Sequence, residues 1–209
     1  MGDLICTIDG TQIRVPEGMT ILQAAEENGI RIPTLCYSPD LKPIGVCRVC
    51  LVEVEGARTL MAACHTPVTM GMVVHTRSPK VLETRKTVIQ LLMAAHGASC
   101  VTDTQAGKCL LHQLAAELEV GPPLFQVLEP RPHPAEEDNP YLRRDLSKCI
   151  LCRRCVAACQ EIAGKGVLSV AYRGFQSKII IDLNGPLKQK VCKDCGVCIP
   201  YCPTGALSA

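Results

Sequence analysis

The chain has 209 residues and a formal net charge of +2, a balance that argues for neither nucleic acid nor an anionic membrane surface as a partner. Its 15 cysteines stand beside two phenylalanines, four tyrosines and no tryptophan; the large aromatics of an ordinary core are nearly missing, and bound metal is expected to replace part of that core. No apolar run reaches membrane-spanning length, and the strand-like N-terminus MGDLICTIDGTQIRV lacks the basic-then-apolar order of a secretion signal. Gly2 opens no myristoylation motif, because Cys6 takes the Ser/Thr position. A reduced, cytoplasmic environment follows, in which cysteines serve metals rather than disulfides.

In chain order, residues 1–78 read as a mostly β unit. Segments 4–8 and 11–15 flank Asp9-Gly10, a hairpin signal. Thr20 is placed to cap a helix running to about Asn28, with Gly29 as its stop and Ile21, Leu22, Ala24 and Ala25 as its apolar face. Further strands are expected over 51–54 and 72–76. A sheet crossed by one helix is a β-grasp arrangement. Within it, Cys36, Cys47, Cys50 and Cys64 have the form C-x10-C-x2-C-x13-C. Four thiolates can hold a [2Fe–2S] cluster, although the plant-type spacing is tighter at the front. Pro33, Pro39, Pro43 and Gly45 would fix an irregular loop around it. The plainer alternative is four cysteines buried as small apolar residues.

Residues 79–120 read as a small helical module. Val81, Leu82, Arg85, Val88, Ile89, Leu91 and Leu92 recur at helical spacing, a second helix starts near Cys109 and runs through Leu118, and a cysteine-bearing loop over 97–108 joins them. Residues 121–140 contain Pro122, Pro123, Pro130, Pro132, Pro134 and Pro140, which forbids a helix and suggests a stiff connector. Residues 141–209 carry two cysteine runs separated by a strand pair over 167–172 and 178–183.

Those runs are the most specific signal in the chain. Cys149, Cys152, Cys155 and Cys159 form C-x2-C-x2-C-x3-C; Cys192, Cys195, Cys198 and Cys202 repeat it, followed by Pro203. This is the two-cluster bacterial ferredoxin pattern, in which each run gives three thiolates to its own [4Fe–4S] cube and the fourth to the other. Cys149, Cys152, Cys155 and Cys202 would hold one cube, and Cys159, Cys192, Cys195 and Cys198 the other. Zinc is the usual rival for C-x2-C pairs, but four cysteines in eleven residues, twice, exceed what one tetrahedral ion can use.

His96, Cys100, Asp103 and Cys109 follow H-x3-C-x2-D-x5-C. With Cys in place of Asp103, this motif resembles the cluster-bearing N-terminal module of three families: the large iron–sulfur subunit of respiratory complex I, iron-only hydrogenases, and the small diaphorase iron–sulfur subunit of soluble NAD-reducing nickel–iron hydrogenases. The upstream cysteine spacing resembles the same families' [2Fe–2S] site. The resemblance implies a middle [4Fe–4S] cluster held by one histidine and three cysteines. Asp103 leaves three outcomes: it completes the cluster, the cluster lacks one iron, or the cluster is lost. His96 alone could be a polar helix C-terminal cap, a reading that the two aligned cysteines weaken.

The resemblance covers essentially all 209 residues. An iron-only hydrogenase would continue into a catalytic domain, and the complex I subunit into a large molybdopterin-enzyme-like domain with usually a single cube in the third module, so a chain ending at Ala209 looks most like the diaphorase subunit; the same architecture is similar to the front of some NAD-linked formate dehydrogenases. The fold expected is α+β: a β-grasp [2Fe–2S] domain, a helical His/Cys-cluster domain and a C-terminal domain with two [4Fe–4S] clusters.

No dinucleotide fingerprint or P-loop is present, so no nucleotide, flavin or substrate site is expected. Iron–sulfur clusters carry single electrons; the flavin that splits the electron pair of NAD(H) belongs on a partner. The implied role is a non-catalytic electron relay, with one [2Fe–2S] and three [4Fe–4S] clusters, between hydrogenase small and large subunits and an FMN/NAD(H) flavoprotein, with no nucleic acid and no membrane. A relay in a formate dehydrogenase or another bifurcating complex, a free multi-cluster carrier and an iron-dependent scaffold are the alternatives; the slightly basic charge disfavours a free carrier. Arg48, Lys148, Arg153 and Lys193 could raise cluster potentials, or be ordinary solvated cations. Cys6 reads as a core residue, His65 as excluded by four thiolates already present, and His75, His112 and His133 as lacking ligand partners by spacing.

Overall fold

In a computed structural model, residues 2–96, 109–121, 141–181 and 191–208 are described. Internal contacts divide the chain into two compact units: Met1–Thr34 with Pro43–Ile89, and Leu35–Lys42 with Gln90–Ala209. The segment 79–120, expected as one module, is thus shared between them. The proline-rich 122–140 lies outside the described residues, as do Cys100, Asp103 and His133. Among the described residues no helix is long and apolar enough to cross a membrane.

The first unit is built on five strands, β1 (Asp3–Ile8), β2 (Thr11–Pro16), β3 (Leu51–Val54), β4 (Met61–Ala62) and β5 (Val73–His75). They form one sheet in the order β2-β1-β5-β3-β4. The β1–β2 hairpin turns at Asp9 and Gly10, with φ of 49° and 82°, the paired positive angles of a type I′ turn. Strand alternation puts Cys6, Ile8, Ile13 and Val15 inside. β5 pairs parallel to β1 and antiparallel to β3; the short β4 has no sequence signal.

Helix α1 (Ile21–Glu27) begins with the expected cap. The Gln23 N–H donates to the Thr20 hydroxyl at 3.3 Å, and the Thr20 N–H donates to the Gln23 side chain at 3.0 Å, a capping box. Ile21, Leu22, Ala24 and Ala25 are fully buried. The first turn is also tied to the Cys64 segment, since the Ile21 and Leu22 N–H groups donate to the Thr66 and Ala63 carbonyls at 2.9 and 3.0 Å. Helix α2 (Pro79–Ala95) buries Val81, Arg85 and Ile89, a stripe at every fourth residue with a cation in its middle.

The second unit contains α3 (Leu110–Glu117), α4 (Arg154–Ala157) running into a π turn at Ala158–Ile162, and two small sheets. β6 (Arg143–Arg144) pairs with β9 (Leu207–Ser208), closing the segment that carries both cysteine runs. β7 (Leu168–Ala171) and β8 (Lys178–Ile181) form the expected strand pair, with Leu168 opposite Ile181. Leu35–Lys42 belongs here: the Lys42 N–H donates to Glu161 at 3.0 Å and the Tyr201 hydroxyl to Asp40 at 3.4 Å. Cys155, Cys159 and Cys198 sit in this unit's core with Leu142, Leu146, Leu168, Ile179, Ile181 and Leu207.

Candidate metal centres

Two cavities in the second unit sort the eight cysteines of the runs. One, partly open to solvent, is lined by Cys149, Cys152, Cys155 and Cys202 with Leu146, Ile150, Ile179 and Leu207. The other, also partly open, is lined by Cys159, Cys192, Cys195 and Cys198 with Leu142 and Leu168. Each cavity therefore draws three cysteines from one run and one from the other.

The turns of the two runs share a backbone signature. Leu151 and Asp194, at equivalent places, have φ of 55° and 57°; Arg153 and Gly196, the next equivalent pair, have 63° and 56°. Wrapping three cysteines around one cavity reverses the chain twice, and non-glycine residues accept the left-handed angle at a cost of roughly 1–2 kcal/mol each. The turns also aim N–H groups at sulfur: Leu151 donates to Cys149 Sγ at 3.4 Å and Ala206 to Cys202 Sγ at 3.2 Å.

The electrostatics define what fits. Burial pushes the Cys152 thiol up to about 12, opposed by the Arg154 backbone and reinforced by Cys202 and Cys149. Burial, then Cys152, Cys149 and Cys202, drives Cys155 well above the ordinary thiol range. Burial, followed by Cys159 and Cys192, lifts Cys198 to about 12. Four thiolates cannot share such a cavity without positive charge among them. A thiophilic metal centre supplies that charge and inverts the local acidity, so the donor sets fit iron–sulfur groups.

In the first unit Cys47, Cys50 and Cys64 are buried, at 8%, 1% and 0% exposure. Arg48, between the first two, has φ 59°. The Cys50 carbonyl accepts the Ala63 N–H at 3.1 Å, joining two cysteine-bearing segments. Arg85, 3% exposed, donates through Nε to the Val49 carbonyl at 2.9 Å and through Nη2 to the Leu51 and Thr76 carbonyls at 2.8 and 3.3 Å. The backbone on both sides of Cys50 is thus held by one guanidinium. Its only sequence signal is a charged residue within the apolar stripe of α2, which does not announce its partners. Cys36, also buried, lies in Leu35–Lys42 and is described with the second unit.

At the middle site the structure brings together His96, Cys109 and His112, whose ligand atoms all lie within 4.8 Å of one another. The Cys109 Sγ to His96 Nε2 distance is 3.6 Å, and the two imidazoles meet edge-on with centroids 5.2 Å apart. Burial lowers His96 to about 4, His112 adds to the shift, and the Lys148 backbone partly opposes it; the ring is neutral and able to ligate. Spacing alone sets His112 aside; the structure places it beside His96 and Cys109. The Leu110 N–H donates to the Pro203 carbonyl at 2.8 Å, so the residues directly after Cys109 and Cys202 are bonded to each other.

Arg153 lines the cavity with Cys149, Cys152, Cys155 and Cys202. Arg48, Arg153 and Lys193 are exposed, and Lys148 pairs with Asp145 at 3.4 Å. His65 is exposed, His75 pairs with Glu55 at 2.9 Å in the open, and Cys6 is a core residue at 1% exposure.

Sheet, turns and thiol-lined cavities define a multi-cluster iron–sulfur protein. A 2Fe-2S iron–sulfur cluster binding domain family matches residues 3–79, and the ferredoxin-like domain of NADH-quinone oxidoreductase subunit 3 matches residues 139–208. The chain is 42% identical over 213 residues to NADP-reducing hydrogenase subunit HndD of Solidesulfovibrio fructosivorans, covering 99% of this chain and 36% of that protein. It is 37% identical over 204 residues to an NADH-quinone oxidoreductase subunit of Rhizobium meliloti, covering 96% of this chain and 23% of that protein. It thus spans about a third or less of the length of these curated relatives. A solved NAD+-reducing [NiFe]-hydrogenase in the H2-reduced state contains a chain of 30% identity and TM-score 0.88, with 98% of this chain and 86% of that one covered. The chain belongs to the family of iron–sulfur subunits shared by NAD(P)-linked hydrogenases and NADH-quinone oxidoreductases.

Proposed function

We propose that the chain is a non-catalytic electron-relay subunit, cytoplasmic, passing single electrons between a hydrogenase module of small and large subunits and an FMN/NAD(H) flavoprotein. The observation that carries this reading is the sorting of eight cysteines into two crossed four-cysteine cavities. Cys149, Cys152, Cys155 and Cys202 hold one [4Fe–4S] cube; Cys159, Cys192, Cys195 and Cys198 hold the other. Cys36, Cys47, Cys50 and Cys64 hold a [2Fe–2S] cluster. His96, Cys100, Asp103 and Cys109 form the middle centre, with an oxygen donor where the family motif has sulfur. The bound clusters supply reversible one-electron transfer.

The residues around the donors set the conditions for that transfer. N–H groups of Leu151 and Ala206 stabilise charge on Cys149 and Cys202 sulfur, which favours the reduced state. Leu142, Leu168, Ile179 and Leu207 exclude water from the cavity walls. The bond between Leu110 and Pro203 supports direct electronic contact between the middle centre and the cube held by Cys202. Hydrogenase is favoured over other terminal partners by the solved hydrogenase chain, which this chain covers nearly end to end.

The test is anaerobic purification with iron counting and spin spectroscopy. A full set gives about 14 irons per chain, a three-iron middle centre about 13, and a lost one about 10, by cluster stoichiometry. Cys202→Ser should remove or convert one cube signal while leaving the cube bound through Cys198. Reduction by NADH should require the flavoprotein. A colourless protein carrying zinc, or clusters that no flavoprotein reduces, ends this reading.

A further inference from the structure

Cys109 and His112 form C-x2-H at the start of α3, Cys109 as the extended N-cap and His112 in the first turn. His96, at the end of α2, meets them from the other side, and the three ligand atoms fall within 4.8 Å. Three donors at this spacing can hold a metal ion. Among the described residues the buried His112 Nδ1 has no hydrogen-bond partner, an arrangement that costs free energy unless something binds the ring. The family motif's second cysteine is Asp103 in this sequence, a harder donor that a nearby imidazole can replace on iron.

We propose that His112 is a metal ligand, forming with His96 and Cys109 a donor set of two imidazoles and one thiolate. This rests on the reading of the middle set as an iron–sulfur centre, and it gives that centre a second neutral ligand. Replacing thiolate by imidazole removes negative charge from the cluster environment and raises its potential, as the two histidines of Rieske centres do. The middle centre is then a more oxidising station than the two all-cysteine cubes.

The test uses the full chain, purified anaerobically with ¹⁵N-histidine and reconstituted with iron and sulfide. Pulsed electron paramagnetic resonance counts the imidazole nitrogens coupled to each reduced cluster. Two are expected on one centre, falling to one in His112→Gln, with a loss of up to about four of about fourteen irons. His112→Cys should restore loading and lower the potential of that centre; His75→Gln should change nothing. Unchanged signals from the cubes and the [2Fe–2S] cluster certify that each variant is folded. A single coupled imidazole in the parent, untouched by His112→Gln, overturns the proposal. If the site takes one zinc instead, X-ray absorption showing two imidazole ligands upholds His112 as a ligand and removes the iron–sulfur reading of this centre alone. Absence of cube signals removes the relay reading without touching the imidazole count.

Discussion

The two units hold themselves together with different materials. In the first, Ile8, Val15, Ile21, Leu22, Val49 and Val52 are fully buried, and apolar burial at roughly 25 cal/mol per Å² supplies the driving force. In the second, Cys155, Cys159 and Cys198 occupy the core positions between Leu142, Leu146, Leu168 and Ile179. Those sulfurs line cavities as well as packing on carbon. The first unit is stabilised by what it excludes, the second by what it must bind. A protein that needs its clusters as conductors can also use them as core, and the scarcity of aromatic residues follows from that.

Metal removal tests this contrast most severely. Chelation of the intact chain is expected to abolish slow amide exchange in β7 and β8, because ligand convergence is what holds that core closed. Amides of β1, β2 and β5 are expected to stay protected, since the hairpin and α1 pack without ligands. Hydrogen exchange read residue by residue would break the comparison if both units lost protection together, or if β7 and β8 kept theirs.

A smaller effect is expected from Arg85→Leu in the first unit. The substitution keeps the apolar stripe of α2 but leaves the carbonyls of Val49, Leu51 and Thr76 without the donor they now have. Unsatisfied buried acceptors put the cost at about 1–3 kcal/mol. Because two of those carbonyls flank Cys50, the loss should also loosen the cysteine loop, seen as faster release of the [2Fe–2S] iron to a chelator at unchanged cube content. Equal release from all clusters would mean that Arg85 serves general stability and not that loop.

Much of the architecture was legible because its signals are local. Asp9-Gly10 specified the hairpin, Thr20 the start of α1, and the cysteine spacing the crossed sorting into two cavities. Pairings distant in sequence were not legible. β6 with β9 joins two-residue strands that no propensity distinguishes, and the grouping of Leu35–Lys42 with the second unit depends on contacts to Glu161 and Tyr201. His112 was missed for the same reason. Its nearest ligand in sequence is Cys109, but the donor that gives it meaning, His96, lies sixteen residues away across a loop whose path spacing cannot supply.

The finest contrast lies inside the second unit, between the two runs. Gly196 and Arg153 occupy equivalent left-handed positions, with φ of 56° and 63°. Glycine takes this angle without penalty, whereas arginine takes it at a cost of roughly 1–2 kcal/mol. Arg153→Gly should relieve that strain in the folded state and, in part, lose the gain by freeing the unfolded chain, an opposing effect of about 0.4–1 kcal/mol. The net expectation is a stabilisation of about 0.5–1 kcal/mol in the cluster-loaded protein, from the difference of those two effects. The Arg153 side chain is exposed, at the wall of the cavity lined by Cys149, Cys152, Cys155 and Cys202. The reverse change, Gly196→Arg, should destabilise by a similar amount. Among the described residues its Cβ would meet the Ile199 side chain at 3.7 Å, an ordinary contact, so the backbone angle and the cavity wall that Gly196 lines set the sign together. Denaturation midpoints of the two variants moving in opposite directions would show that the runs are energetically as well as geometrically repeated. If Arg153→Gly destabilises instead, the arginine is held there by an interaction worth more than its strain, and the symmetry ends at the backbone.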